Sequence, residues 1–171
     1  LLEHKFDALP EEIGEIVLVI GYLGEMIEKK FGGEYKGRKI TYVDCPNPVG
    51  GTMYALACAK QMLQGKFLVM NGDNIYAAED MKHMLNSGWA TAVIKEDATK
   101  YGARVEIAPD ETVIDIVEWP GHDGGSGFKN INLYALDTRI FDFPTIPKAP
   151  GSSELGLPQT ILAASKVSGI P

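Results

Sequence analysis

The sequence predicts an α/β domain with a mixed, mainly parallel sheet and helices on both faces. Three observations support this prediction. Short apolar runs alternate with segments of helical periodicity through the first half of the chain. The second half is a series of strand-like segments that includes one hairpin. The 171 residues are 45% apolar and 23% charged, which suits a soluble domain with its own core.

Each predicted strand is a short apolar or alternating run, and each predicted helix repeats apolar residues three and four positions apart. The predicted strands are residues 15–20, 39–44, 67–70, 89–94, 103–108, 113–118 and 129–136. Helices are predicted over residues 1–9, after Tyr22, after Thr52, from Glu79, over residues 138–143 and from Pro158. In the last strand, alternation puts Ile131, Leu133 and Ala135 on one face and Asn130, Asn132 and Tyr134 on the other.

Residues 67–76, FLVMNGDNIY, are the first candidate site. The apolar residues 67–70 predict a strand buried on both faces, and open α/β sheets bind ligands at the carboxyl ends of such strands. Gly72 permits a close approach to the backbone. Asp73 presents a carboxylate, an oxygen ligand suited to Mg²⁺. The alternative is a turn in which Asp73 only caps the backbone.

A second candidate site is the Gly50-Gly51-Thr52 segment, which precedes a predicted helix. Free N–H groups and the positive end of the helix dipole favour anionic or polar ligand groups there. Thr52 is equally suited to be a simple N-cap of that helix.

Charge and composition exclude several partners. A net charge of −7 argues against nucleic acid, which binds a basic face, and no apolar run approaches the length of a membrane span. Cys45 and Cys58 match no zinc motif and carry no mark of a disulfide pair, so a reducing, cytoplasmic setting is expected. His122 and Asp123 lie in a glycine-rich segment, interpreted as a mobile solvent loop rather than a metal site.

Several motifs together resemble the sugar-1-phosphate nucleotidylyltransferases, or NDP-sugar pyrophosphorylases. No single motif is specific, but they occur in the order and spacing of that family. They are GEIVLVIGYLGEMIEKKFG, ITYVDCPNPVGGTMYALACAK, FLVMNGDNI, YGARVEI, DIVEWP, KNINLYALD and SSELGLPQTI. The resemblance implies one Rossmann-like, GT-A-like nucleotidyltransferase domain over residues 1–171, with a nucleotide-binding half (1–88) and a sugar-phosphate-binding half (89–171).

The resemblance also implies roles for individual residues. The nucleotide would be bound by Gly50, Gly51, Thr52 and Gly72, and the catalytic Mg²⁺ by Asp73. The sugar phosphate would be bound by Tyr101, Gly102, Glu118 and Asn130. The substrates would be an NTP and a sugar 1-phosphate, and the products an NDP-sugar and pyrophosphate. A homo-oligomer is compatible with the resemblance.

The chain departs from the family pattern at several places. The glycine-rich phosphate loop would precede Leu1, and the second metal carboxylate would follow Pro171. We therefore expect a domain incomplete at both ends, inactive by itself, with a gap in the sheet beside residues 67–70. Trp119 stands where the family usually has a phosphate-binding lysine, and Cys45 where many members have a base-reading glutamine.

Two other functions are compatible with these motifs. A non-catalytic regulatory or scaffold domain of the same fold is favoured by Trp119. A glycosyltransferase of similar architecture is disfavoured because Asn74, rather than an Asp-x-Asp motif, follows Asp73.

Overall fold

The computed structural model describes residues 1–47, 49–98, 101–118 and 120–168. Its strands are β1 Glu15–Ile20, β2 Glu34–Tyr35, β3 Arg38–Asp44, β4 Lys66–Met70, β5 Ala90–Glu96, β6 Arg104–Ile107, β7 Val113–Val117 and β8 Gly127–Asp137. Its α-helices are α1 Leu2–Asp7, α2 Gly24–Phe31, α3 Thr52–Cys58, α4 Ala78–Asn86 and α5 Leu157–Ser168. Two short 3₁₀ helices cover Lys60–Met62 and Thr138–Asp142.

The strands form two sheets. In the larger sheet β8 pairs antiparallel with β4, β5 and β6, and β6 pairs antiparallel with β7. In the smaller sheet β1 pairs parallel with β3, and β3 pairs antiparallel with β2. The α/β class is therefore confirmed, but the prediction of a mainly parallel sheet is wrong.

The error has a physical cause. The apolar run of β4 indicated burial on both faces, which is typical of parallel strands. Burial does not fix strand direction, however, and here β4 is covered on both faces while running antiparallel to β8. The strand that pairs with β4 lies more than 60 residues away in sequence, so no local sequence pattern could indicate the pairing.

A cleft of about 840 Å³ separates the two sheets. It is lined along its length by β1 and β4, each an edge strand of its own sheet. The gap expected beside residues 67–70 is thus present among the described residues, and β4 is hydrogen-bonded to β8 alone.

Helices cover both faces of the larger sheet. On one face Leu133 and Ala135 of β8 pack with Phe6 of α1 and with Met81 and Met84 of α4. On the other face, Tyr134 and Leu136 of β8 pack against α3 and α5, through Met53, Leu56, Leu157 and Ala164. The alternation predicted for this strand is confirmed, since Ile131 lies with the first cluster.

The central strand β8 is kinked at Asn132. This residue has a left-handed φ of 58°, and the pairing with β5 shifts register between Thr91 and Val93. Asparagine tolerates this conformation better than most residues with a side chain. The kink turns the carbonyl groups of Ile131 and Asn132 away from the ladder, where other segments reach them.

No helix in the described ranges combines the length and the apolar character that a bilayer crossing requires.

Asp137 ends β8 and caps the 3₁₀ helix that follows. Its Oδ1 accepts from the Arg139 backbone N–H at 3.0 Å, and its Oδ2 lies 2.6 Å from Arg139 Nη2. The hydrogen bonds from the Arg139 side chain lower the pKa of Asp137 to about 2. The carboxylate therefore stabilises the folded state above its ordinary pKa near 4, and this contribution is lost as the pH falls through 2.

We expect Asp137→Asn to lower the free energy of unfolding by about 1 kcal/mol at pH 7, a value reduced for solvent screening of the exposed arginine. The difference from the unmodified protein should shrink below pH 4 and vanish near pH 2, measured by urea unfolding across that range. Asp142→Asn, at an exposed position of the same turn, is the matched control. An equal loss at pH 2 and pH 7 would contradict the assignment.

Candidate functional site

The segment after β4 is held against the kink in β8. Asn74 Nδ2 donates to the Ile131 carbonyl at 2.9 Å. The Tyr76 hydroxyl lies 3.1 Å from the same carbonyl and 2.9 Å from that of Asn132. Because Tyr76 is only 5% exposed, this anchor is buried, and it fixes the course of the residues between β4 and α4.

Asp73 lies on this anchored segment with its carboxylate directed to solvent. The residue is exposed, and it takes part in no hydrogen bond or ion pair that the structure describes. Gly72 is also exposed, and a Cβ added to it would meet nothing within 4 Å. Neither residue caps the turn, so Asp73 is free to accept a ligand from the open side.

The side chain of Lys5 in α1 extends to the segment that carries Asp73. Its side chain is 5% exposed, its ammonium group donates to the Asn71 carbonyl, and it lies 5.4 Å from the centre of the Tyr76 ring. Burial lowers the pKa of Lys5, and the nearby Asp73 carboxylate opposes that shift. A buried ammonium group with so few acceptors favours an anion in the cleft beside it.

The sequence did not identify Lys5 as a site residue, because the residues that it contacts in the fold, Asn71 and Tyr76, are about 70 positions away along the chain. Within residues 1–9 it occurs simply as a charged residue on a short helix. No local spacing could have placed it next to Asp73.

A polar network lies on the α3 and α5 face of β8. Asn130, 4% exposed, donates from Nδ2 to the Tyr134 hydroxyl at 2.7 Å, and that hydroxyl lies 3.0 Å from Asn132 Oδ1. Asn130 Oδ1 accepts from the Asn132 backbone N–H at 2.9 Å and from Thr91 at 3.3 Å. Asn130 thus stabilises the kink, whatever else it binds.

Glu118 acts electrostatically on Tyr134 of this network. It follows β7, is half-buried, and accepts from Gln159 Nε2 of α5 at 3.3 Å. Burial chiefly raises the pKa of Tyr134 far above its ordinary range, and the Glu118 carboxylate adds to that effect. Asn130 and Glu118 therefore both act on the Tyr134 hydroxyl, the first through a hydrogen bond and the second electrostatically.

The Gly50-Gly51-Thr52 segment is packed against the residues that lead into α5. Leu155 donates its N–H to Gly50 at 2.8 Å, and its carbonyl accepts from Met53 at 3.0 Å. The Thr52 hydroxyl accepts from the Leu157 N–H at 3.0 Å, so it caps α5 rather than α3. Gly51 has φ 91°, and a Cβ there would lie 2.5 Å from the Leu155 oxygen, so both conformation and space require glycine.

Tyr101 and Gly102 lead into β6 through Ala103, whose carbonyl accepts from the Asn130 N–H at 2.9 Å. A Cβ added to Gly102 would approach the Lys129 side chain at 3.0 Å, on the face of β8 opposite to Asn130. Tyr101 is 71% exposed, with a left-handed φ of 66°. Gly102 is thus one residue away from the backbone hydrogen bond between Ala103 and Asn130, and it is also close to Lys129.

The loop after β7, expected to be mobile, is fixed by specific contacts. Asp123 pairs with Arg104 at 2.6 Å, and His122 Nε2 lies 2.9 Å from the Gly102 carbonyl. The Gly124 N–H donates to His122 Nδ1 at 3.1 Å, so Nε2 carries the proton that goes to Gly102. These contacts engage both side chains considered as metal ligands, and the expectation that the loop binds no metal stays a prediction.

Two of the candidate residues, Thr52 and Gly72, line the cleft. Its lining includes Lys5, Gly72, Thr52 and Tyr134, in addition to β1 and β4. Within the described residues, no three His, Cys, Asp or Glu side chains come together as a ready metal cage. Pro48 and Trp119 lie outside the described residues, so the expectations attached to them remain predictions.

Comparison with known proteins gives the family. Residues 1–156 match the family described as nucleotidyl transferase. The chain belongs to the nucleotidyl transferase family.

Two curated relatives are similar over most of the chain. It is 29% identical over 178 residues to the bifunctional protein GlmU of Methanococcus vannielii, a match that covers 99% of the chain and 42% of that protein. It is 35% identical over 150 residues to the UTP–glucose-1-phosphate uridylyltransferase AglF of Haloferax volcanii, covering 82% of the chain and 60% of that protein. The chain thus spans less than two thirds of the length of these relatives.

A solved structure agrees with the fold. The UDP-glucose pyrophosphorylase complexed with UDP-glucose superposes with a TM-score of 0.71 at 17% identity, covering 98% of the chain and 74% of that protein. The nucleotidyl transferase fold predicted from the motifs is therefore confirmed, with a sheet that is largely antiparallel.

Proposed function

We propose that the protein transfers a nucleoside monophosphate from an NTP to a sugar 1-phosphate, giving an NDP-sugar and pyrophosphate. The observation that carries the proposal is the position of Asp73, on the segment that Asn74 anchors to the kink in β8, the strand whose Asn130 and Tyr134 form the polar network. Membership of the nucleotidyl transferase family supports the same chemistry.

The reaction is an in-line attack of a sugar-phosphate oxygen on the α-phosphorus of the NTP. Such a displacement depends on positioning and on neutralising charge, and it needs no protein nucleophile. A site composed of a carboxylate, a buried lysine and a few amides suits that requirement.

Asp73 suits a Mg²⁺ ion shared with the substrate. Magnesium is commonly held by one or two carboxylates together with substrate phosphates and water, rather than by a protein cage. An exposed carboxylate that makes no hydrogen bond or ion pair among the described residues fits this donor set. When bound, the ion would supply positive charge to the phosphate oxygens.

In the proposed complex the nucleotide lies along residues 1–88. Gly72 leaves open space for the phosphates, and Lys5 provides positive charge below them. Gly50, Gly51 and Thr52 border the nucleoside, with Thr52 at the edge of the cleft. The contacts of Gly51 with Leu155 limit how deeply a base enters there.

Residues 89–171 would bind the sugar phosphate. Glu118 has an oxygen left to accept from a sugar hydroxyl, because Gln159 uses the other. Asn130 retains one amide hydrogen beyond the one given to Tyr134. Tyr101 and Gly102 would border the same pocket from the start of β6, since the next residue, Ala103, accepts from the Asn130 N–H.

A non-catalytic regulatory domain is the second candidate. It is favoured by the hydrogen bonds that Leu155 and Leu157 make to the Gly50-Gly51-Thr52 segment, since they occupy groups that a nucleotide could use. A domain of this kind would bind a nucleotide or an NDP-sugar without turning it over.

Pyrophosphate release by the full-length protein separates the two candidates. The assay would use each of the common NTPs with a panel of sugar 1-phosphates in the presence of Mg²⁺. We expect pyrophosphate and an NDP-sugar in equal amounts for at least one pair of substrates. Nucleotide binding without turnover for every pair would favour the regulatory domain.

Asp73→Asn tests the metal-binding carboxylate. We expect kcat to fall by about 10²–10³-fold, because the variant loses the charge that holds the ion at the phosphates. The melting temperature should not change, since Asp73 is exposed and makes no hydrogen bond in the described structure. Asp80→Asn, in the first turn of α4, is the matched control and should keep full activity. Wild-type turnover in Asp73→Asn would remove it from the site.

Glu118→Gln tests the sugar side. The substitution keeps an acceptor for Gln159 but removes the charge that accepts from a sugar hydroxyl, so we expect the KM for the sugar 1-phosphate to rise about tenfold. The KM for the NTP should stay within about twofold, as judged from initial rates. Glu106→Gln, exposed on β6, serves as the control. Equal changes in both KM values would contradict a specific contact with the sugar.

A further inference from the structure

The two cysteines of the chain lie side by side in the structure. Cys45 follows β3 and Cys58 ends α3, and their sulfur atoms are 4.0 Å apart. Both residues are half-buried, so a small reagent has access to them. No sequence motif marks the two cysteines as a pair, but the fold brings together these thiols, which are separated by 13 positions.

The local chemistry gives the two thiols different roles. Burial, followed by the hydrogen bond to Cys45, raises the pKa of the Cys58 thiol. Cys58 therefore keeps its proton at neutral pH and donates it to the Cys45 sulfur. Thiol–disulfide exchange proceeds through a thiolate, and Cys45 is the sulfur that accepts this hydrogen bond.

We propose that Cys45 and Cys58 are a reversible disulfide site, whose oxidation ties the loop between β3 and α3 to the body of α3 and weakens nucleotide binding. The second part rests on the proposed function. The loop so closed contains Gly50 and Gly51, and a Cβ at Gly50 would lie 2.6 Å from the Tyr54 ring. Tyr54 lies one turn before Cys58 on α3, so the ring that meets Gly50 and the Cys58 thiol are on the same side of that helix.

The oxidant is a low-molecular-weight organic disulfide, such as oxidised glutathione. The Cys45 thiolate attacks one sulfur of the reagent, forms a mixed disulfide and releases one thiolate. Cys58 then loses its proton to solvent, attacks the Cys45 sulfur and releases the second thiolate. The protein loses two electrons and two protons, and the reagent becomes two thiols.

The chain offers a direct assay of the bond. Trypsin cleaves after Lys39 and Lys60, so both cysteines lie on one peptide, residues 40–60. After oxidised glutathione is added to the full-length protein, we expect this peptide to lose about 2 Da, the two hydrogens of the thiols. A dithiol reductant should restore its mass.

Matched variants identify the pairing. Cys58→Ser should retain a glutathione adduct on Cys45, because no second thiol is present to resolve it. Cys45→Ser should show neither the adduct at 45 nor the mass loss. A stable glutathione adduct on unmodified protein, independent alkylation of both thiols after oxidation, or a dimer linked between chains would each overturn the proposal.

Nucleotide affinity tests the consequence separately. By calorimetry we expect the oxidised protein to bind Mg²⁺–NTP at least fivefold more weakly than the reduced protein, with no such change in the Cys45→Ser, Cys58→Ser double variant. Equal affinity of the oxidised and reduced proteins would overturn the claim that the disulfide weakens nucleotide binding. A reduced protein that binds no NTP would instead overturn the proposed function, and the peptide assay would still decide the disulfide.

Discussion

The strand on which the rest of the structure depends is β8. Its eleven residues pair with three other strands, and Leu133, Ala135 and Leu136 are fully buried between the helices of the two faces. The kink at Asn132 interrupts this ladder at one point. There the hydrogen bonds of Asn130, Asn132 and Tyr134 replace those that the ladder loses, and the displaced carbonyls accept from Asn74 and Tyr76. A buried unsatisfied backbone group costs about 1–3 kcal/mol, so the kink persists only with these partners.

The same kink places the candidate site. It holds the segment that carries Asp73 on one side, and the polar residues that face Glu118 on the other. The protein has a net charge of −7, yet Lys5 is buried beside the cleft, close to Asp73. The positive charge of Lys5, together with a metal on Asp73, would be sufficient to neutralise a bound polyphosphate, so the protein would not need a basic surface.

Much of the fold was predictable from the sequence because the strands are short apolar runs with clear boundaries. The alternation of Ile131, Leu133 and Ala135 gave the faces of β8 correctly. Strand direction was not predictable, because β4 pairs with a strand distant in sequence. The short hairpin of β2 was also missed, since its turn is formed by Lys36 and Gly37, both at positive φ, rather than by an Asn-Gly pair.

The site was predictable in part. Glu118 and Asn130 came from motifs, and both act on Tyr134 in the structure, while Tyr101 and Gly102 lead into β6 beside Ala103, which bonds to the Asn130 N–H. Lys5 and the pairing of Cys45 with Cys58 depend on tertiary contacts that no short motif contains.

The central claim is that Asp73 and the Glu118–Asn130 group bind the two ends of one substrate complex. The most direct measurement is a crystal structure of the full-length protein with Mg²⁺ and an NDP-sugar. The account predicts an Asp73 oxygen within about 2.1 Å of the metal, and sugar hydroxyls in hydrogen-bond contact with Glu118 and Asn130. A nucleotide bound away from Asp73, or a sugar on the opposite face of β8, would contradict it.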